Sequence, residues 1–283
     1  MTFDVKHSGQ LGDIIYAIPA MTILARKFGS DKIRLFVPRN KHAHRPPALK
    51  HVGGDFMISD EMFAFVKPLL IYQSCFSDVV SIDEHEIPKT AKDFDVIRSG
   101  CINTSAGNIK DYYFKVFGLL SRGVSPWVAP SFDGRRAGQF DILIGRSTRY
   151  LNQSIDYGIL AALGLRIGFI GTGAEYLTFS TRFPNVAAEY VPVTSAMEAC
   201  DLIASSSLFI GNQSFFFAIA EALQTSRILE VFEPVPNVVP TGGICGKFIT
   251  THGLATLLSD FFAYPINISN ESIHFQSNYV LSI

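Results

Sequence analysis

Short apolar segments alternate with helical patterns along almost the whole chain. Apolar runs that predict strands occur in both halves of the sequence, at residues 3–7, 33–37, 79–82, 94–97, 140–144, 166–170, 208–210, 228–231 and 248–250. Patterns with three- and four-residue spacing predict helices between them, at residues 11–28, at 111–120 and around Met197, Cys200 and Ile203. Short continuous strands connected by helices are typical of parallel sheets that are covered on both faces. The sequence therefore predicts an α/β protein with doubly wound sheets.

Length and one irregular segment predict two domains. At roughly 100 to 200 residues per domain, 283 residues suggest about two domains, each able to bury its own core. Residues 121–139 are rich in glycine and proline and have no sustained periodicity, as expected of a linker. We place the boundary there, with domains at residues 1–135 and 136–283 that face each other across a cleft. Ligands of such sheets bind beyond the carboxyl ends of the strands, so the loops that follow the strands are the candidate sites.

Composition disfavours several classes of protein. The formal net charge of -1 gives no overall attraction to nucleic acid, so we expect no DNA or RNA partner. The four cysteines are widely spaced and form no C-x-x-C pair, which is typical of reduced thiols in the cytoplasm. No apolar run reaches the length of a membrane span, and the first residues lack the pattern of a signal peptide. We therefore expect a cytoplasmic protein.

The loop after the first strand carries a candidate catalytic acid. Gly9 and Gly12 free the backbone for close approach to a ligand, and Asp13 falls in the first turn of the following helix. The positive helix end stabilises a carboxylate, so Asp13 is a candidate general base. The same position is also explained by a favourable interaction between an acid and the helix dipole alone, and spacing leaves both interpretations open.

Two loops of the second half are candidate anion sites. Arg146, Ser147 and Arg149 follow the first strand there, and paired guanidinium groups beside hydroxyls suit a diphosphate, although a solvated basic turn fits as well. The turn that runs into the helix after residues 208–210 offers free backbone amides, and we assign it as a second phosphate site, formed by Gly211, Asn212, Gln213 and Ser214. Helix capping by Asn212 or Ser214 is compatible with that role.

Several weaker signals have a structural or a functional interpretation. Glu233 and Asn237 follow the strand at 228–231 and are candidates for contact with a nucleoside or ordinary surface residues. Asp93 and Asp95 form a D-x-D pattern, but they precede the predicted strand core and should lie at the edge opposite the cleft, so we expect no metal site. The basic run at residues 39–51 is either a solvated loop or a contact for an anionic acceptor or a membrane surface; its cationic side chains are Arg39, Lys41, Arg45 and Lys50.

Two segments resemble one family of enzymes. Residues 8–19, from Ser8 through Asp13 to Pro19, resemble the amino-terminal motif of the heptosyltransferase-like glycosyltransferases of family nine. Residues 201–214 are similar to the strand, turn and helix of that family's nucleotide-sugar site. The sequence departs from the family at Gln213 and Phe215, where an acid and a glycine are usual, and at residues 146–149, where a lysine and tryptophan cluster is usual.

The resemblance implies a GT-B fold with two Rossmann-like domains. It also implies transfer of a sugar from a nucleotide diphosphate sugar to a hydroxyl of a glycan or lipid-linked acceptor, with inversion and without a metal or other cofactor. Residues 1–135 would then be the acceptor domain and 136–283 the donor domain, in glycan or lipopolysaccharide biosynthesis. Asp13 would be the base, and the acceptor side would include Ser8, Gly9, Gly12 and Tyr16. Two alternatives stay open, a nucleotide-sugar epimerase of the same architecture and a catalytically silent nucleotide-sugar-binding protein.

Overall fold

The first half of the chain forms a four-stranded parallel sheet. The computed structural model describes residues 2–39, 41–43, 54–121, 125–132 and 139–263. The strands of this sheet are β1 (Thr2–Lys6), β2 (Lys32–Pro38), β3 (Phe76–Ile82) and β4 (Lys92–Asp93), and the helices are α1 (Leu11–Lys27), α2 (Asp60–Tyr72) and α3 (Ile109–Val116). The spatial order is β3-β2-β1-β4. The chain thus builds outward in opposite directions from β1, which makes the gap between β1 and β4 a topological switch point.

The second half forms a six-stranded parallel sheet. Its strands are β5 (Ile142–Gly145), β6 (Ile167–Phe169), β7 (Ala188–Tyr190), β8 (Leu208–Asn212), β9 (Arg227–Glu230) and β10 (Cys245–Phe248), and its helices are α4 (Gly173–Arg182), α5 (Ala196–Ala204), α6 (Phe215–Leu223) and α7 (Thr251–Phe262). The order β10-β9-β8-β5-β6-β7 reverses direction between β5 and β8. The loops after β5 and β8 therefore flank a second switch point, where such sheets open a crevice.

The predicted fold class is confirmed, and the errors are local. The predicted strand at 94–97 is wrong, because β4 ends at Asp93 and a 3-10 helix covers Asp95–Arg98. The sequence also gave no prediction for α2 or β7. The proposed boundary at residue 135 lies outside the described residues, so the division into domains stays a prediction.

The two sheets share one apolar core. A single cluster of buried side chains runs from the first sheet through α1 and α6 to the second sheet; it includes Val5, Leu35, Ile14, Ile18, Ala218, Ala222, Phe209 and Leu229. A second cluster, with Tyr157, Phe169 and Phe179, covers the other face of the second sheet. A Cβ added to Gly12 of α1 would lie only 3.7 Å from Cα of Phe215 in α6. This direct packing of α1 against α6 joins the buried side chains of the two halves.

The predicted linker crosses the seam between the halves. The backbone N–H of Trp127 donates to Ala222 O at 3.0 Å, and its indole Nε1 donates to Ile15 O at 2.9 Å. Ser131 donates its backbone N–H to Asp201 Oδ1 at 2.7 Å. The described part of this segment is thus fixed to helices from both halves.

None of the helices in the described ranges combines the length and the apolar character needed to cross a membrane.

Candidate active site

Asp95 lies at the switch point of the first sheet, which is not where the sequence analysis predicts it. The backbone N–H of Ser8, just after β1, donates to Asp95 Oδ1 at 2.9 Å, and the Ser8 hydroxyl donates to Asp95 Oδ2. Asp95 therefore lies at the carboxyl edge of the sheet, and the expectation that Asp93 and Asp95 lie at the opposite edge is wrong. The physical reason is that the buried ring of Phe94 anchors the segment as soon as the two-residue strand β4 has ended.

Arg98 connects the two carboxylates of this edge. Its Nη2 donates to Asp13 Oδ2, and its Nη1 donates to Asp95 Oδ1 at 3.1 Å. Lys41 Nζ lies 3.4 Å from Asp95 Oδ2 and adds a second cation. Asp13 occupies the first turn of α1, as predicted, and its side chain is 19% exposed. The carboxylate of Asp13 is thus ion-paired and still partly exposed to solvent.

Gly9 and Gly12 have different structural roles. A Cβ on Gly9 would lie 2.7 Å from Cζ of Arg98, so a larger residue at this position would displace the guanidinium from its present place against the loop. Gly12 faces α6 instead, at ordinary van der Waals distance from Phe215 and Ala218. Gly9 thus makes room for Arg98 and Gly12 for α6, and the closeness of both glycines to a ligand stays a prediction.

Tyr16 lies in the core rather than at the cleft. It is 4% exposed, and its hydroxyl has no hydrogen-bond partner within the described ranges. Burial raises its pKa well above the usual value. Residue 16 lies one turn after Asp13 and belongs to the apolar side of α1, which corrects its expected place on the acceptor side.

His7 is a neutral, buried brace for the loop that begins with Ser8. Its Nδ1 accepts a hydrogen bond from Gly9 N at 3.0 Å, and its Nε2 lies 2.8 Å from the hydroxyl of Tyr113. Because Nδ1 is an acceptor, the proton of the neutral ring is on Nε2. Burial lowers the pKa of His7 to about 4, although the charge of Asp95 opposes this effect.

The ionised form of Asp95 is favoured in this network. Burial alone would raise its pKa, but the interaction with His7, the hydrogen bonds from Ser8 and the charge of Arg98 outweigh burial and lower the pKa. The edge of the first sheet therefore carries carboxylates and cations in close alternation.

An open cavity of about 890 Å³ adjoins this network. Its wall includes Ser8, Asp95 and Arg98 together with apolar side chains such as Met57 and Phe117. Lys92 also lines it, with Nζ 5.5 Å from the centre of the Phe117 ring, and has no carboxylate partner within the described ranges. The cavity thus offers an aromatic face, an available ammonium group and hydrogen-bonding oxygens. Of the basic run at 39–51, residues 40 and 44–51 lie outside the described residues, including Arg45 and Lys50.

The switch point of the second sheet is held together by Asn212. Its Nδ2 donates to Ser147 O at 2.7 Å and to Tyr150 O at 2.9 Å, and its Oδ1 accepts from Ser147 N at 3.0 Å. A Cβ on Gly211 would lie 2.8 Å from Cε1 of Phe209, so this glycine is needed for packing. The two predicted phosphate loops are therefore brought together, with the buried Asn212 side chain as their connection.

Arg146 forms a buried ion pair. Its Nε donates to Glu230 Oε2 at 2.6 Å, and its Nη2 donates to Glu230 Oε1 and to Asn152 O, both at 3.0 Å. Tyr157 donates its hydroxyl to Glu230 at 2.8 Å. Only 3% of the Arg146 side chain is exposed. The guanidinium therefore faces the protein interior, which departs from its expected place beside a diphosphate.

Arg149 remains available at the same edge. Its guanidinium carbon lies 4.6 Å from the centre of the Tyr150 ring, and no carboxylate pairs with it in the part of the chain that the structure describes. The hydroxyl of Ser214 accepts a hydrogen bond from Phe217 N at 3.4 Å and caps α6, as predicted. A half-buried arginine and a helix N-terminus thus border the second switch point.

Gln213 and Asn237 brace loops. Gln213 Nε2 donates to Val235 O at 2.6 Å and to Asn237 Oδ1 at 2.9 Å. Asn237 Nδ2 in turn donates to Thr104 O of the first half at 3.0 Å. Glu233 on the same loop is exposed and has no ion pair with another described residue. These contacts connect the loop after β9 to both halves of the chain.

In the described part of the chain no group of three or more His, Cys, Asp or Glu side chains is arranged to hold a metal ion.

Comparisons with known proteins identify the architecture. No protein-family model matches the chain, and no curated protein does. Among solved structures, E. coli ADP-heptose lps heptosyltransferase II superposes with a TM-score of 0.60 at 13% identity, covering 93% of this chain and 99% of that chain. The chain has the fold of these glycosyltransferases. E. coli heptosyltransferase WaaC with ADP gives a TM-score of 0.55 at 10% identity, with 93% and 98% of the two chains covered.

A third solved structure has a similar fold. The glycosyl transferase of family 9 from Veillonella parvula matches with a TM-score of 0.58 at 10% identity, over 94% of this chain and 90% of that chain. The predicted α/β fold of the GT-B type, with doubly wound parallel sheets, is thereby confirmed.

Proposed function

We propose that this protein is a glycosyltransferase that moves a heptose or hexose from a nucleotide diphosphate sugar to an acceptor hydroxyl. The observation that carries the proposal is the meeting of two helix N-termini at the two switch points. The start of α1, with Asp13 in its first turn, packs against the start of α6, where Phe215 lies against Gly12. A candidate base and a candidate anion site are therefore neighbours.

The donor half of this function rests on the second switch point. The amides at the start of α6 and the guanidinium of Arg149 would stabilise the negative charge of a diphosphate, in both the bound and the departing form. Arg146 would act indirectly by holding the loop of Ser147 in place through Glu230. The structural neighbours support this class of donor, since one was solved with ADP and another with ADP-2-deoxy-2-fluoro heptose.

The acceptor half rests on the cavity beside Arg98. An aromatic face with adjacent carboxylates and ammonium groups suits a sugar, because the ring packs on apolar C–H surfaces while the charged groups bind hydroxyls. We therefore propose a glycan or lipid-linked glycan as the acceptor and no nucleic-acid partner. A volume of about 890 Å³ accommodates one or two sugar rings.

The reaction we propose is direct displacement at the anomeric carbon, with inversion and without a required metal. The acceptor oxygen forms the new bond to that carbon as the bond to the diphosphate breaks, and the hydroxyl proton passes to Asp13. The diphosphate leaves with the electron pair and is stabilised by Arg149 and the amides around Ser214.

Replacement of Asp13 by asparagine tests the proposal. Asp13→Asn keeps the shape but removes the basic oxygen, so single-turnover transfer should fall by about 10² to 10⁴ while binding of nucleotide diphosphate is unchanged. Asp111 is a matched control because it also lies in the first turn of a helix, α3, and is not part of the cavity wall. Asp111→Asn should leave the rate within about twofold.

The first step is a panel of nucleotide diphosphate sugars with glycan acceptors, with both nucleotide release and sugar products measured. Transfer, or slow release of nucleotide diphosphate without an acceptor, supports the proposal. An epimerised sugar would identify the alternative enzyme, and tight binding without turnover would identify a silent binding protein. An Asp13→Asn variant with more than about a tenth of the parent rate would remove Asp13 from the mechanism.

A further inference from the structure

We propose that Arg98 is a positioning residue for Asp13, held in place by Asp95 and Ser8 and admitted to the site by Gly9. The inference rests on the proposed function, because it concerns the base of that reaction. Arg98 and Asp95 are distant from Ser8 and Gly9 in the sequence, and only the folded structure brings these residues together.

The contacts form a continuous chain from the sheet to the base. Ser8 donates its backbone N–H to Asp95 at 2.9 Å, and Asp95 accepts from Arg98 Nη1 at 3.1 Å. The other terminal nitrogen of Arg98 donates to Asp13 Oδ2. Because the guanidinium is planar and rigid, fixing one nitrogen also fixes the direction of the other. Asp95 thus determines how Arg98 meets Asp13.

This arrangement leaves one oxygen of Asp13 for chemistry. Oδ2 is occupied by Arg98, whereas Oδ1 has no hydrogen bond to any residue in the described ranges. Arg98 therefore restrains the orientation of the carboxylate, and Oδ1 is the atom that receives the proton of the acceptor hydroxyl. Arg98 gives up no proton in this step, because a guanidinium stays protonated in proteins. Its contribution is orientation, and a misplacement of about 1 Å in such a group can cost 10²-fold in rate.

The path of Arg98 over the loop requires a glycine. A Cβ on Gly9 would lie 2.7 Å from both Cζ and Nη1 of Arg98, which is closer than non-bonded atoms can pack. Gly9→Ala would therefore move the guanidinium while leaving every charge of the network in the protein. Gly173 is the matched control because a Cβ there would meet nothing closer than 3.9 Å.

The first test separates orientation from binding. Arg98→Ala should lower kcat by about 10- to 100-fold with saturating donor and acceptor, with a smaller change in either KM. Guanidinium ion at millimolar concentration should restore part of the lost kcat of Arg98→Ala, and sodium ion at the same ionic strength should not. The kcat of Arg98→Lys should lie between those of the parent protein and Arg98→Ala, because a lysine ammonium can make only one of the two contacts. Loss of activity that no guanidinium restores, together with an unchanged kcat in Gly9→Ala, would overturn the proposal.

A double-mutant cycle tests whether Arg98 acts through Asp13. If it does, Arg98→Ala should add less than about threefold to the loss already caused by Asp13→Asn, because the two residues act as one unit. Full multiplication of the two losses would show that Arg98 works independently, as a ligand of the acceptor cavity that it lines. Melting temperatures of all variants, with Gly173→Ala as reference, report whether the fold is intact.

The same cycle distinguishes the role of Asp13 as the base from the role of Arg98 as its positioning residue. A small effect of Asp13→Asn in a working transferase would contradict the proposed base, whatever Arg98 does. A large effect of Asp13→Asn combined with a kcat of Arg98→Ala within about twofold of the parent would contradict the positioning role alone.

Discussion

Removal of the Arg146 guanidinium decides between two functions of that residue. The sequence favours a phosphate ligand, whereas the structure pairs Arg146 with Glu230 inside the protein. Arg146→Met keeps most of the side-chain volume and removes the charge. Glu230 is fully buried and would then keep only the hydrogen bonds from Tyr157 and Asn152 N, so a buried carboxylate would be left without its counter-ion.

The expected cost follows from that burial. Breaking a buried pair by removing one partner typically destabilises a protein by about 3 to 5 kcal/mol, since the remaining charge has lost its compensation. We expect the upper part of this range, because the two side chains are 3% and 0% exposed and share two hydrogen bonds. Arg146→Met/Glu230→Gln should recover part of the loss, because it removes the uncompensated charge as well.

Urea unfolding and nucleotide calorimetry measure the two roles separately. Trp127 is the only tryptophan, and its fluorescence reports on the seam, while circular dichroism reports on both sheets. Coincident transitions would justify a single free energy of unfolding. Arg149→Met is the matched control and should show the opposite pattern. Its free energy of unfolding should change by less than about 0.5 kcal/mol, while affinity for a nucleotide diphosphate falls by about 1.5 to 3 kcal/mol.

One result would refute this reasoning. If Arg146→Met unfolds within about 1 kcal/mol of the parent and loses nucleotide diphosphate affinity as strongly as Arg149→Met, the buried pair is not what holds Arg146. The arginine would then be the phosphate ligand that the sequence suggests.

Two further predictions concern buried polar side chains near the first switch point. Burial lowers the pKa of His7 from its usual value of 6.5 to about 4, so between these pH values the unfolded chain binds a proton that the folded chain does not. The resulting stability is present above about pH 6.5 and is lost as the pH falls toward 4, by about 3 kcal/mol in total. The free energy of unfolding of a His7→Gln variant, measured with urea, should therefore depend less on pH across this window. Tyr16→Phe removes a buried hydroxyl that lacks a partner among the described residues, so the free energy of unfolding should stay equal or rise by about 1 kcal/mol. The rate of sugar transfer should be unchanged, and a tenfold loss would show that Tyr16 belongs to the acceptor site as the sequence predicts.

The first strand and helix could be predicted from local sequence because their signals are local. Five residues of strand, a short turn with a glycine and a long apolar helix are enough to place Asp13 at the start of α1. Ser214 is predictable for the same reason, since a serine after an apolar strand and before a helix is a common cap. The course of the backbone in one strand–turn–helix unit is therefore predicted correctly, whereas the side of α1 on which Tyr16 lies depends on tertiary packing.

Asp95 was misplaced because the element that carries it is too short to leave a pattern. β4 contains only Lys92 and Asp93, whereas the apolar residues that suggest a strand, Val96 and Ile97, belong to a 3-10 helix. A two-residue strand has no periodicity of its own. Its place beside β1 follows from tertiary packing of the Phe94 ring, which the D-x-D pattern alone does not reveal.

The partners of Arg146 and Arg98 lie beyond the reach of sequence reasoning for a different reason. Arg146 and Glu230 are 84 residues apart, and Arg98 and Asp13 are 85 residues apart. Arg98 meets Asp13 because β4 lies beside β1, whereas Arg146 after β5 reaches across β8 to Glu230 at the end of β9. Judged by residue type alone, Arg146 and Arg98 could both bind anions. Only the folded structure shows which carboxylate each of them pairs with.

The shared core has a consequence for how the two switch points can work together. Transfer needs the acceptor hydroxyl and the anomeric carbon within about 3 to 3.5 Å, so the loops of both sheets must keep a fixed relation during reaction. The close packing of Gly12 against Phe215 and the hydrogen bond from Asn237 to Thr104 O both join the halves beside the proposed site. Opening the halves would expose the apolar surface between α1 and α6, at a cost of about 25 cal/mol per Å². The packing of α1 against α6 therefore fixes the position of Asp13 relative to the start of α6.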